Sequence, residues 1–239
     1  MIPGRVKERV GTERDVPIEF GKVKLLATLN QPETAIGIVL FAHGSGSSRL
    51  SPHNRYAAEV LQSHGIATLL LDLLTTDEEV IDRRTSQLSS NIRLLAKRLV
   101  GATSWTMRQP DLRGLDVGYF GASTGTAAAL MASAARLTRE ISAVVSRGGR
   151  PDLAGESLGS VQAPTLLIVG GNDGPMIELN QQALAELRCR EKRLVIIPGA
   201  THLFEEPGAL EELAQVTAEW FIAHFFRARQ AQPGQVTRH

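Results

Sequence analysis

The 239-residue sequence contains a single cysteine, Cys189, and few aromatic side chains, which make up 5% of the residues. One cysteine cannot form an intramolecular disulfide, so a small secreted scaffold held together by disulfides is excluded. The sequence also lacks an H-E-x-x-H motif and paired cysteines, so no common zinc site is expected. Cys189 lies in a predicted helix between charged residues, and we do not expect it to act as a nucleophile.

The chain has no excess of charge of either sign and no long hydrophobic run. Lys and Arg total 26, Asp and Glu total 25, and the formal net charge is +1. This balance gives no reason to expect binding to nucleic acid or to an anionic membrane. No apolar stretch could span a bilayer, and residues 1–10 carry charges without the apolar core of a secretory signal. We therefore expect a cytoplasmic protein with no nucleic-acid or membrane partner.

Predicted strands and helices alternate along the chain. Hydrophobic residues make up 43% and charged residues 21%, which is typical of a globular protein. We expect one domain over residues 1–239, with a frayed polar tail at about 230–239. The alternation predicts an α/β fold in which helices cover both faces of a mostly parallel central sheet. Strands are expected at 15–20, 23–29, 36–42, 67–73, 117–120, 141–145, 165–169 and 194–197, and helices at 52–64, 75–100, 126–136, 176–189 and 208–227.

Residues 121–125 read Gly-Ala-Ser-Thr-Gly and directly follow the apolar strand at 117–120. This G-x-S-x-G pattern between a strand and a helix is typical of a nucleophile elbow, a sharp turn that exposes the serine hydroxyl. The tight turn leaves no room for side chains at Gly121 and Gly125. The pattern therefore predicts Ser123 as a catalytic nucleophile.

A serine nucleophile requires a base and a carboxylate that orients the base. Asp173 follows the strand at 165–169, and His202 follows the next strand at 194–197. Both lie on glycine-containing loops, and the chain order Ser, Asp, His is the one that this kind of elbow uses. We therefore predict a catalytic triad of Ser123, Asp173 and His202.

Other assignments of the acid remain open at this stage. The sequence Asn-Asp-Gly at 172–174 also has turn chemistry, so Asp173 could simply shape its loop. Asp152 follows the preceding strand, and Glu178 lies on the helix that comes after Asp173. His202 itself could be a helix-capping or surface histidine.

An oxyanion hole needs two backbone donors beside the nucleophile. One is expected to be the amide of Thr124, at the N-terminus of the helix after Ser123. The other is expected to be the amide of Ser45, in the loop His-Gly-Ser-Gly-Ser-Ser at 43–48 after the third strand. The His43 side chain is expected to hold this loop in shape. The alternative is that the segment is only a flexible turn.

The loop at 146–163 separates the sixth strand from the seventh by only 18 residues, which is too few for a helical cap domain. We therefore expect an open, shallow site that favours small acyl groups and is partly walled by the region 75–105. The same loop contains Arg147 and Arg150. These arginines either bind an anionic group of the substrate or pair with Asp152, Glu156 or loop carbonyls and brace the loop.

Four segments resemble those of α/β-hydrolases, and most closely those of the dienelactone hydrolase branch. They are His-Gly-Ser-Gly at 43–46, Gly-Ala-Ser-Thr-Gly at 121–125, Gly-Asn-Asp at 171–173 and Gly-Ala-Thr-His at 199–202. The resemblance covers nearly the whole chain and implies the α/β-hydrolase fold. The best-known dienelactone hydrolases have cysteine at the elbow, whereas this chain has Ser123. That departure favours general ester hydrolysis over a lactone substrate.

The sequence thus predicts a serine hydrolase that cleaves small carboxylic esters or lactones through an acyl-enzyme, with no cofactor and no metal. Acyl transfer to an acceptor other than water would use the same residues and remains an alternative. A non-catalytic binding module with this fold is a second alternative. The only partner expected is a small-molecule ester, and a homodimer is left open. A phosphate site at 44–46 is disfavoured because the lysine of a P-loop is missing.

Overall fold

The computed structural model describes residues 11–44, 46–135 and 141–231, with side chains described as far as residue 225. Residue 45, and with it the predicted oxyanion donor Ser45, lies outside the described residues. So do residues 1–10 and residues 232–239 of the predicted tail.

The described residues contain one eight-stranded sheet with the strand order β1-β2-β4-β3-β5-β6-β7-β8. β2 is antiparallel to both of its neighbours, β1 and β4, and every other neighbouring pair is parallel. The predicted mostly parallel sheet is therefore confirmed. The strands are β1 (Thr12–Phe20), β2 (Val23–Gln31), β3 (Gly37–Ala42), β4 (Ala67–Leu71), β5 (Asp116–Ala122), β6 (Ile141–Arg147), β7 (Thr165–Gly170) and β8 (Lys192–Ile197).

Helices cover both faces of this sheet because the side chains of the central strands are apolar on both sides. In β3, Ile38 and Leu40 belong to one buried cluster, with residues from the helices at 92–108, 124–133 and 174–186. Val39 and Phe41 belong to a second cluster, with residues from the helices at 52–63 and 209–231. The helices are α1 (Pro52–Ser63), α2 (Thr76–Thr85), α3 (Ile92–Arg108), α4 (Thr124–Ser133), α5 (Gly174–Glu186) and α6 (Ala209–Ala231).

The region predicted as mostly helical at 75–100 consists of two helices separated by residues 86–91. Ser86 ends α2 in the left-handed conformation, with φ of 51°. The Asp82 carboxylate accepts hydrogen bonds from the amides of Leu88 and Ser89, and the Asn91 side chain caps α3. These side-chain bonds replace helical ones, so the region is mostly helical as predicted, but Leu88 lies between its two helices.

The helix predicted at 176–189 also ends early, at Glu186, so Cys189 lies outside it. Leu187 adopts an extended backbone, and Lys192 Nζ donates to the carbonyl oxygens of Leu184 and Leu187 at 2.8 and 2.6 Å. A cation at the C-terminus of a helix satisfies carbonyl groups that have no intrahelical partner. The thiol of Cys189 is buried, and burial raises its pKa, which opposes a nucleophilic role.

The connection between β6 and β7 contains a 3₁₀-helical segment, Pro151–Ser160, and no cap domain. The carboxyl ends of the parallel strands are therefore not covered by an inserted domain from this connection. Within the ranges that the structure describes, no helix combines the length and the apolar character needed to cross a membrane.

Because β3 lies in the centre of the sheet, removing one of its buried side chains should cause a large loss of folding stability. Leu40 is 0% exposed, and its replacement by alanine should lower the free energy of unfolding by about 2–5 kcal/mol, since it leaves a cavity. The matched change Leu50→Ala removes a side chain that is 57% exposed and should cost less than about 0.5 kcal/mol. Urea denaturation of both variants measures the difference, and equal losses would contradict this packing.

Candidate active site

Ser123 lies between the end of β5 and the first residue of α4, at a sharp backbone turn. Its φ of 51° and ψ of −123° are unfavourable for any residue except glycine. Backbone bonds hold it there: its amide donates to the carbonyl of Arg147, and its carbonyl accepts from the amides of Thr126 and Arg150. The structure thus has the strand-to-helix elbow that the sequence predicts.

The two glycines that flank the elbow have no room for a side chain. A Cβ atom on Gly121 would lie 2.5 Å from the Cα atom of Thr126, and one on Gly125 would overlap the carbonyl oxygen of Ala42. Side chains would therefore push α4 away from β5 or from β3. The predicted clash at both positions is confirmed.

Asp173 and His202 come together at the carboxyl ends of β7 and β8. The Nδ1 atom of His202 lies 2.7 Å from Oδ2 of Asp173. A carboxylate can only accept, so Nδ1 carries the proton, and Nε2 is the basic nitrogen of the neutral ring. The Asp173 side chain is 14% exposed and that of His202 is 44% exposed, so the acid is shielded while the imidazole remains open to solvent.

Hydrogen bonds between the two loops fix this pair. The amide of Asn172 donates to the carbonyl of Ala200, and its Nδ2 atom donates to the carbonyl of Gly199 at 2.8 Å. The Glu206 carboxylate accepts from both the amide and the hydroxyl of Thr201, next to His202. The supporting roles of Asn172 and Glu206 were not predicted from the sequence; Asn172 lies in the family-like segment Gly-Asn-Asp at 171–173, and the signal for Glu206 is its position four residues after the predicted base.

The loop after β6 lies between the elbow and His202. The backbones of Arg147, which ends β6, and of Arg150, in the loop, bond the backbone of Ser123. A Cβ atom on Gly148 would lie 3.5 Å from both Cε1 and Nδ1 of the His202 ring. The structure therefore brings the histidine ring and the turn that carries Ser123 against the same short segment.

The competing acids make other contacts. Asp152 forms a bidentate pair with Arg150, with Nη2 to Oδ2 at 2.7 Å and Nε to Oδ1 at 2.9 Å. Glu178 is exposed on α5. The carboxylate that bonds His202 is that of Asp173.

The loop after β3 packs directly against the elbow. A Cβ atom on Gly44 would lie 2.8 Å from Cβ and 3.3 Å from Oγ of Ser123, so only a glycine permits this approach. Thr124, the other predicted oxyanion donor, is the first residue of α4. The Nδ1 atom of His43 lies 3.0 Å from the carbonyl oxygen of Gly44, so the ring braces its own loop as expected.

A cavity of about 460 Å³ lies beside this loop. Its opposite wall comes from α2, α3 and the connection between them, which is the region at 75–105 that the sequence predicts as a wall. The lining mixes charged, polar and apolar groups: His43, Gly44, Gly46, Ser47, Ser48, Leu73, Leu74, Glu79, Asp82, Arg83, Ser86, Ser89 and Leu95.

The two arginines of the β6–β7 loop differ in their surroundings. The hydrogen bonds that Arg150 donates to Asp152 raise the pKa of Arg150, as expected of a residue that braces the loop. The Nε and Nη1 atoms of Arg147 are buried and have no hydrogen-bond partner among the described residues. Burial lowers the pKa of Arg147 to about 10, which still leaves the guanidinium charged at neutral pH. For His53, burial and then the nearby charge of Arg147 lower the pKa.

Comparison with known proteins identifies the fold and the family of this chain. A solved dienelactone hydrolase from Anabaena variabilis is 59% identical, with 91% of this chain and 99% of that chain covered and a TM-score of 0.87. Est1E from Butyrivibrio proteoclasticus is 16% identical, with 88% and 98% covered and a TM-score of 0.73, and it shows the fold alone. The fold is the α/β-hydrolase fold. On the Anabaena match, the chain belongs to the dienelactone hydrolase family.

The curated relatives are longer than the segment that aligns with this chain. Proteins from two strains of Mycobacterium tuberculosis, provisionally named phosphoribosyl transferases, are 55% identical over 214 residues, which is 89% of this chain and 46% of theirs. The chain therefore spans about half the length of the curated relatives it matches. No family model matches the chain.

The close approach of Gly125 to Ala42 predicts that a side chain at position 125 lowers the stability of the fold. Gly125→Ala should lower the free energy of unfolding by about 1–3 kcal/mol, because the new methyl group overlaps the carbonyl of Ala42. Gly159→Ala is the matched control, since the nearest atom to its Cβ, Nε of Arg188, lies 3.9 Å away. Thermal unfolding compares the two variants, and an unchanged melting temperature for Gly125→Ala would contradict the elbow geometry.

Proposed function

We propose that the chain is a serine hydrolase that cleaves carboxylic esters or lactones with small, accessible acyl groups. The observation that carries this proposal is the 2.7 Å contact between His202 Nδ1 and Asp173 Oδ2. It supports a base whose other nitrogen is available, beside the loop that holds the backbone of Ser123. A nucleophile, a base and an orienting acid in this order are what acyl transfer through a serine requires.

In the proposed mechanism, Nε2 of His202 takes the proton of the Ser123 hydroxyl as the oxygen attacks the ester carbonyl. Asp173 holds the imidazole in the required tautomer and stabilises its charged form. The amides of Thr124 and Ser45 are the proposed donors to the oxyanion. The alcohol leaves with the proton from His202, and water then attacks the acyl-enzyme with His202 again acting as the base.

The substrate class follows from the walls of the site. The cavity beside Gly44, at about 460 Å³, is large enough for a small molecule, and charged groups such as Glu79 and Arg83 interrupt its apolar lining. A long acyl chain would find no continuous apolar channel there. A serine at the elbow favours ordinary esters over the lactones for which the family is named.

Hydrolysis is preferred over acyl transfer to another acceptor because the His202 side chain is 44% exposed, which gives water access to the base. The transferase name of the Mycobacterium relatives describes proteins about twice as long as the aligned segment. That name therefore carries no assignment for the residues described here. A single buried thiol at Cys189 suits a reducing compartment, and we propose a cytoplasmic location.

A series of chromogenic esters of increasing acyl length tests this proposal. We expect kcat/KM to be highest for the shortest acyl groups and to fall as the chain lengthens, because the cavity is small and partly polar. Strong preference for long acyl chains would contradict the substrate class.

Ser123→Ala provides the blank for the series. Loss of a triad nucleophile should reduce kcat by roughly 10⁴-fold or more while the far-ultraviolet circular dichroism spectrum stays unchanged. Ester turnover that is the same in wild type and Ser123→Ala would overturn the assignment of the nucleophile.

Arg147 is the better of the two arginines for contact with an anionic substrate group, because its buried Nε and Nη1 atoms have no partner among the described residues. For an ester with a free carboxylate, Arg147→Gln should lower kcat/KM by about 10- to 100-fold, the loss expected for a hydrogen bond to a charged group. Hydrolysis of the neutral analogue should change much less.

The matched control is Arg150→Gln, which breaks the pair with Asp152 and should affect both esters equally. If Arg147→Gln also reduces the two activities by the same factor, Arg147 only braces the loop.

A further inference from the structure

Asp72 directly follows β4, at the same edge of the sheet as the candidate active site. Its neighbour Leu71 pairs with Ala42, the last residue of β3, so Asp72 stands beside the start of the loop that follows β3. The amide of Asp72 donates to the carbonyl of Leu26 at 2.9 Å, which anchors its backbone to β2. The carboxylate is thus presented from a rigid part of the sheet.

The Asp72 carboxylate contacts both ends of the loop at 43–49. The amide of Arg49 donates to Oδ1 at 2.8 Å, and Nη1 of Arg49 donates to Oδ2 at 2.6 Å. At the other end, Nε2 of His43 lies 3.5 Å from Oδ1. One side chain therefore connects the residues that begin and end this loop.

The contact is shielded from solvent, since the Asp72 side chain is 6% exposed. Burial alone would raise the pKa of Asp72, but the nearby His43 ring and the hydrogen bonds that Arg49 donates hold it below the usual range. The carboxylate is therefore ionised at neutral pH. Hydrogen bonds between ionised partners are stronger than those between neutral groups. A buried ionised group that loses its partner lowers the stability of the fold.

The residues between these anchors contact the elbow and the cavity. Gly44 packs against Ser123, and Gly46, Ser47 and Ser48 line the cavity with His43. Asp72 itself is not among the residues that line the cavity. Any influence on a bound substrate must therefore act through the loop.

We propose that Asp72 is a positioning residue that, through its contacts with His43 and Arg49, holds Gly44 against Ser123 and keeps residues 46–48 in one wall of the cavity. This inference rests on the proposed hydrolase function and adds to it a residue that the sequence analysis did not select. The larger effect is expected on kcat rather than on KM, because Gly44 packs on the proposed nucleophile itself, whose placement affects the transition state more than substrate binding.

The test measures kcat and KM of Asp72→Asn, Arg49→Gln and the double variant on a short neutral ester, at a temperature at which all are folded by circular dichroism. Each single variant should lower kcat by about 10- to 100-fold, the effect expected when a catalytic group is displaced by about 1 Å. KM should change less than about 3-fold. The loss in the double variant should be smaller than the product of the two single losses, because both changes break the contact between Arg49 Nη1 and Asp72 Oδ2.

Two further variants separate positioning from general stability. Glu13→Gln breaks a surface ion pair with Arg55, which is 3.1 Å away on α1, and should leave kcat unchanged. Arg49→Lys keeps the charge without the planar fork and should give a kcat between those of wild type and Arg49→Gln. It also tests the inference if Asp72→Asn does not fold.

A lowered melting temperature with unchanged kcat in Asp72→Asn and Arg49→Gln would overturn the inference and leave the hydrolase function intact. Multiplicative losses in the double variant would also overturn it. If wild type shows no turnover above the Ser123→Ala blank, the proposed function itself fails, and the inference fails with it.

Discussion

The left-handed backbone at Ser123 is the constraint on which the rest of the candidate site depends. Such a conformation costs a non-glycine residue roughly 1–3 kcal/mol, so neighbouring structure must hold it in place. Here the bonds of its backbone to the loop after β6, and the tight packing of Gly121 and Gly125, supply that restraint. This backbone conformation directs the serine side chain away from β5 and places it at the N-terminus of α4.

The parallel sheet brings the remaining groups to this serine because the carboxyl ends of parallel strands share one edge. Asp173 and His202 follow β7 and β8, and the loop at 43–49 follows β3, while Asp72 follows β4. Hence neighbouring strands each contribute a group to one surface. The imidazole, the acid and the proposed oxyanion loop are held by backbone that the sheet already orders.

This shared edge also explains how much could be predicted from the sequence. Ser123, Asp173 and His202 each follow an apolar run that reads as a strand, so strand ends and chain order were sufficient to propose them as candidates. The ion pair of Asp72 with Arg49 joins residues 23 positions apart, on a loop without periodicity, and no sequence pattern indicates which acid such an arginine meets. The break at 86–91 was hidden because Leu88 packs on the same core cluster as Leu95 although it lies outside any helix.

Family membership and chemistry rest on different observations. The match to the Anabaena structure places the chain in the dienelactone hydrolase family, whereas the attacking atom is inferred from the elbow and from the Asp173–His202 contact. The most direct test of that atom is reaction with a fluorophosphonate, followed by mass spectrometry of the digested protein. The account predicts one phosphonyl adduct, on the peptide that contains Ser123. An adduct on another residue, or no adduct on a folded protein, would contradict it.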